Sequence, residues 1–75
     1  MNDVRLGKYE HYSGKLYEVV GLARHSETLE EHVVYRGLYR SEEFGDYPLR
    51  VRPKAMFLEN VEVNGASVPR FRFMD

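Results

Sequence analysis

Apolar and polar positions alternate along most of this chain with the period of two that belongs to strands. In "GKYEHYSGKLYEVVGLARH" the alternation is dense in Tyr and Val, and Ser13-Gly14-Lys15 interrupts it, which predicts a hairpin of a short strand near Gly7 to Tyr12 and a longer one near Leu16 to Arg24. Gly21 falls inside the second strand, where a glycine marks a bulge or a sharp bend. Residues 31–40, "EHVVYRGLYR", repeat the design with Gly37 placed mid-strand, so a strongly bent sheet is expected. "SEEFGDY", 41–47, reads as loop. In "PLRVRP", Leu49 and Val51 alternate with Arg50 and Arg52, which predicts a short half-buried strand with both arginines on its solvent face. Pro53 suits the first turn of a helix, and "PKAMFLEN" has room for one or two turns that place Met56 and Phe57 inward.

The clearest local signal is Asn64-Gly65 between Val61-x-Val63 and Ala66-x-Val68, the two-residue hairpin signature that needs positive φ at both central positions. It pairs Val63 with Ala66 and Val61 with Val68. After Pro69 the parity shifts, with Phe71 and Phe73 apolar and Arg70 and Arg72 between them, so the strand must break or bulge at the proline. The expected fold is mainly β: a small bent antiparallel sheet or SH3-like barrel of five to six strands with one short helical turn near 53–58, rather than an OB-like barrel, for which the strands are too few and too short.

Length makes this one expected domain over 1–75, with its core at about 7–73, and a chain so short buries only about 60% of its unfolded surface. Six Tyr and four Phe supply the core material. The absence of cysteine removes disulfides and thiolate chemistry, which fits a reducing compartment, and no run is apolar enough to span a membrane or to serve as a secretory signal. A cytoplasmic, soluble chain is expected. Eleven basic and twelve acidic residues nearly cancel, leaving no global field for nonspecific nucleic-acid binding, but eight of the basic residues are Arg, whose flat fork suits carboxylate, phosphate and aromatic contacts.

Candidate chemistry concentrates in "RHSETLEEHVVYR", 24–36. Ser26 beside His25 is no catalytic pair on adjacency alone, because neighbours in an extended chain point to opposite sides. A turn in which Ser26 or Thr28 binds local amides accounts for the same residues. His25 and His32 would face each other across the mouth of a hairpin with Glu27, Glu30 or Glu31 nearby, yet the spacing matches no recurrent metal motif. No metal or other cofactor is therefore expected. Thr28 to Glu31 fits a capping box, so "TLEEH" predicts a turn of helix. Elsewhere Tyr9, Tyr12, Tyr17, Tyr35, Tyr39 and Tyr47 interleave with Arg36, Arg50, Arg52, Arg70 and Arg72 and could line a ligand groove, although at least half of these tyrosines are better read as core with a wet hydroxyl.

"HSET" (25–28), "VVYR" (33–36), "VRP" (51–53) with "MF" (56–57) and "VPRF" (68–71) occur in the order of the domain of unknown function 1653 family. The opening "GKYEHYSGKLYEVVGLARHSE" resembles that family's G-x-Y-x-H-Y/F-x-G-x-x-Y-x-V-x-G-x-A-x-H-S-E pattern, and the resemblance covers about 7–71. It implies a stand-alone bacterial cytoplasmic protein with an SH3-like barrel, and no activity. Two departures are visible: "SEEFGDYP" is longer than the family's Gly-Asp connection, and "LRVRP" stands where "LWVRP" is common, so Arg50 replaces an aromatic residue.

The expected function is a noncatalytic binding module. His25, Ser26, Glu27 and Thr28, with Tyr35, Arg36 and Arg52, would form one shallow site for a protein or peptide or a small anionic molecule, nucleic acid being less favoured and membrane excluded. The rivals are a small metal-dependent or catalytic domain using His25, His32 and Glu27, and a structural subunit that self-associates through a sheet edge or exposed tyrosines. A monomer or weak dimer is expected.

Overall fold

The computed structural model describes residues 4–74; residues 1–3 and 75 of the expected domain lie outside the described residues. The chain runs β1 (Gly7–His11), β2 (Leu16–Arg24), β3 (Glu31–Gly37), β4 (Arg40–Ser41), β5 (Gly45–Asp46), β6 (Leu49–Pro53), α1 (Lys54–Phe57), β7 (Asn60–Val63), β8 (Ala66–Pro69) and β9 (Phe71–Phe73). Five of these strands form one antiparallel sheet in the order β6-β3-β2-β1-β9, and β4-β5 and β7-β8 are separate two-stranded ribbons. The fold is mainly β with one short helix, as the alternation predicts. The sheet does not close into a barrel, because its edge strands β6 and β9 pair with no other strand on their outer sides among the described residues.

The β1-β2 hairpin falls where Ser13-Gly14-Lys15 put it. The predicted bulge is also present: Val19 opposes Tyr35 while Gly21 opposes Val34, which leaves Val20 as the extra residue and switches the inward set from Tyr17 and Val19 to Leu22. At the second hairpin Asn64 and Gly65 have φ of 52° and 83°, and Val63 pairs with Ala66 and Val61 with Val68 as expected. Strand β8 ends at Pro69, and β9 resumes after Arg70 with its parity reset.

The core gathers Val4, Tyr9, Tyr17, Val19, Val33, Tyr35, Phe57 and Phe71. Phe57 and Phe71 stack at 4.2 Å and 7°, and Tyr9, Tyr17 and Tyr35 set rings against this pair at 5.4–5.7 Å. Three of the six tyrosines are thus core, and Tyr39 packs partly against them.

Four expectations about local structure are corrected. Strand β3 ends at Gly37, and the glycine is there because a Cβ would lie 2.6 Å from the Tyr39 ring that folds back over it. The 41–47 stretch is not all loop, since its ends pair as β4 and β5. Only Phe57 of α1 points inward; Met56 is 46% exposed, because a single turn offers one residue to the sheet.

The largest correction concerns β6. Its register sets Arg50 opposite Tyr35 and Arg52 opposite Val33, so both arginines lie on the core side, while Leu49 and Val51 face solvent at 59% and 61% exposure. Period two alone cannot say which set points inward. Pairing with β3 decides it, since residues directly opposite one another share a face.

Candidate functional site

The 25–30 connection is a turn closed by its own groups. The His25 amide donates to the Glu30 carbonyl at 2.9 Å and the Leu29 amide to the His25 carbonyl at 2.8 Å, with Leu29 in the left-handed region at φ 65°. His25 Nδ1 accepts the Glu27 amide at 3.1 Å and the Thr28 amide at 3.4 Å, so the imidazole caps the turn, and Thr28 Oγ1 accepts the Glu30 amide at 3.2 Å. The capping box does not form a helix: Thr28 reaches Glu30 rather than Glu31, and Glu31 instead begins β3 and takes Arg24 at 3.7 Å and Lys54 at 3.3 Å. His25 and His32 do face each other across the hairpin's mouth, with ring centroids 6.1 Å apart. Among the described residues no three His, Asp or Glu side chains converge on a metal position.

Strand alternation separates the remaining members of the predicted site. Tyr35 is buried on the core side, and Arg36, its neighbour, lies on the other face beside Leu49 and Glu18. Arg36 also stands five residues along β3 from Glu31, about 16 Å from the turn by strand rise. What the structure does bring together is Tyr35 and Arg52: Arg52 Nε donates to the Tyr35 hydroxyl at 3.3 Å, and its guanidinium lies 5.8 Å from the Phe71 ring centre.

Around that pair the inner face of the sheet carries a patch of basic side chains next to tyrosines. Arg50 and Arg52 come from β6, Tyr35 from β3, Tyr17 from β2 and His11 from β1, all on one side by register. The Tyr17 and Tyr39 hydroxyls are 3.4 Å apart, and Lys15 Nζ sits 4.7 Å over the Tyr39 ring. Arg70, from the break between β8 and β9, adds a fourth cation, held at one end by Glu59 at 3.1 Å. Lys15, Arg50 and Arg52 have no carboxylate within ion-pair distance among the described residues.

Burial, with the positive charges of Arg52, Arg70 and Lys15, lowers the pKa of His11. Burial and the Tyr39 hydroxyl push Tyr17 up to about 12. His11 Nδ1 accepts the Ser13 amide at 3.1 Å and faces Ser13 Oγ at 2.8 Å. This is the serine–histidine contact the fold makes, but a lone pair already engaged by the amide is poorly placed as a general base. Beside His11 runs a cleft of about 370 Å³ lined by Tyr12, Val63, Val68 and Pro69, with the Glu10–Arg72 ion pair at its rim.

The chain matches the model of the family described as a protein of unknown function, DUF1653, over residues 7–73. It belongs to that family. A crystal structure of a DUF1653 protein from Bordetella bronchiseptica superposes with a TM-score of 0.85 at 38% identity, covering 96% of this chain and 88% of that one. No curated protein matches the chain at a significant level. Membership in DUF1653 accounts for the shared fold and brings no reaction with it.

Sequence reasoning placed Tyr17, Tyr35, Tyr39, Arg50, Arg52 and Arg70 in one possible groove with other tyrosines and arginines but did not single them out as the site, and it passed over Lys15 and His11. The available signal was the arginine alternation of "LRVRP"; its direction needed the β3 partner. No helix among the described residues is long and apolar enough to cross a membrane.

Proposed function

We propose that this chain is a noncatalytic binding module whose basic inner-face patch takes an anion, either the carboxylates of a protein or peptide or a small anionic molecule. The observation that carries this reading is that Arg52 bonds the Tyr35 hydroxyl, Lys15 lies over the Tyr39 ring and Arg50 shares their face of the sheet, all three without carboxylate partners among the described residues. Cations held close together without counter-charge repel one another, and an anion relieves that repulsion while accepting charge-assisted hydrogen bonds. Nothing comparable gathers at the 25–28 turn, where the His25 ring is engaged with its own backbone. The near-zero net charge disfavours duplex nucleic acid as the ligand.

The test is a chemical-shift titration with inorganic phosphate and, separately, with a short acidic peptide, following the His11 ring and the Arg52 side chain. Bound anion should shift both and raise the His11 pKa toward its ordinary value, because negative charge offsets the cations that lower it. Arg52→Gln should weaken the response, whereas Arg24→Gln, an exposed residue beside Glu31, should leave it unchanged. Equal responses in the two variants would refute the assignment.

A further inference from the structure

Strand β6 is an open edge. The Gly37 amide donates to the Pro48 carbonyl at 2.8 Å, and bonded pairs of an antiparallel ladder recur at every second residue, so Arg50 and Arg52 direct their backbone groups toward β3. Leu49 and Val51 therefore turn theirs away from the sheet, where no further strand lies among the described residues. Among the described residues nothing bonds the Leu49 or Val51 amide. Pro48 and Pro53 bracket this edge, which keeps the open stretch short.

The two faces of the edge differ sharply in chemistry. Arg50 and Arg52 project to the inner face, and the Nη groups of Arg52 make no hydrogen bond to a described residue. On the outer face Leu49 and Val51 are mostly exposed, next to the half-buried Val34 that opposes Val51. A strand added to β6 would carry side chains alternately to these two faces.

We propose that β6 receives an extended peptide in which acidic and apolar residues alternate, adding as a sixth strand to the sheet. Its backbone bonds the outward groups of Leu49 and Val51, its acids meet Arg50 and Arg52, and its apolar side chains cover Leu49 and Val51. This rests on the anion-binding reading above and names the ligand for it. Charge complementarity selects the occupant: a second copy paired antiparallel about Val51 would set Arg50 opposite Arg52 on the same face, like charge against like charge.

The experiment titrates the full chain with the capped pentapeptide Val-Glu-Val-Glu-Val, its Val-Lys-Val-Lys-Val counterpart, and a version of the first N-methylated at the residues that pair with β6. The acidic peptide should shift the Leu49 and Val51 amides and protect them from hydrogen exchange, while the lysine and N-methylated peptides bind at least about tenfold more weakly. Arg52→Gln should weaken the acidic peptide by a similar factor. Equal binding of the N-methylated peptide, or shifts at Arg52 with the Leu49 and Val51 amides unchanged, overturns strand addition and leaves the anion site standing. No response at Arg52 or His11 to either the acidic peptide or inorganic phosphate overturns both readings. Concentration-dependent protection of the same amides in the free protein would make a second copy the occupant and overturn the peptide proposal.

Discussion

Replacing Arg52 by alanine tests the inverted face of β6 most directly. The Tyr35 hydroxyl belongs to a residue only 3% exposed, and the bond it accepts from Arg52 Nε at 3.3 Å is its single hydrogen bond among the described residues. Removing the donor leaves a buried polar group unsatisfied, which costs about 1–3 kcal/mol, and water taking the space of the half-buried arginine keeps the loss toward the lower half of that range. Loss of the guanidinium's contact with the Phe71 ring adds a few tenths more, so Arg52→Ala should destabilise by about 1.5 kcal/mol. In a domain of this size that is roughly a 6–12 °C fall in Tm. Arg50 is exposed and lies 5.6 Å from the Phe44 ring centre, so Arg50→Ala should cost under about 0.5 kcal/mol. Urea denaturation of both variants, with Tyr35→Phe and the Arg52→Ala/Tyr35→Phe double variant, closes a cycle whose coupling should be near 1 kcal/mol. Equal, small effects of the two arginine substitutions and a coupling within about 0.3 kcal/mol of zero would mean that both side chains face solvent, refuting the β6 register.

Three further outcomes follow from particular contacts. Gly37→Ala pushes a Cβ to within 2.6 Å of the Tyr39 ring and should displace it, costing about 1–3 kcal/mol in denaturant melts and moving the Tyr39 ring resonances, whereas Gly21→Ala, with open space around its Cβ, should melt within about 0.5 kcal/mol of the parent. His25→Ala removes the acceptor that caps the Glu27 and Thr28 amides and should lose about 0.5–1 kcal/mol while leaving phosphate-induced shifts at His11 intact; loss of those shifts in a folded variant would show that the turn belongs to the anion site. Because the Tyr17 pKa is raised in the folded state from 10.0 to about 12, its contribution is fully present below pH 10 and is lost as pH rises through about 12. An alkaline denaturation profile should therefore shift upward in Tyr17→Phe, and an unchanged profile would contradict the burial of that hydroxyl.

Much of the fold was legible in single residues because the responsible physics is local. Asn64-Gly65 specified both the turn and the register of β7 with β8, since positive φ at two successive positions fits few other dipeptides. Gly21 marked the bulge region, although its own Cβ position is open, so the glycine eases the bend without being sterically required. Pro69 marked a break that the missing amide enforces. The candidate site was legible only as an ingredient list. Tyr35 and Arg52 were both named, but they were attached to Arg36 and the 25–28 turn, which the alternation of β3 and the length of the strand place elsewhere.

What the sequence by itself determined was where strands begin, turn and break, together with a core made of aromatic rings, because dihedral preferences and period-two alternation act between near neighbours. Which face of β6 meets the core was decided by tertiary structure alone. An alternating strand is symmetric under exchange of its two faces until a partner is laid beside it, and here the pairing of Arg50 with Tyr35 and Arg52 with Val33 turned the charged set inward and left Leu49 and Val51 outside. The basic patch exists because of that choice, since its cations come from segments remote in sequence and share a face only once the five-stranded sheet has formed.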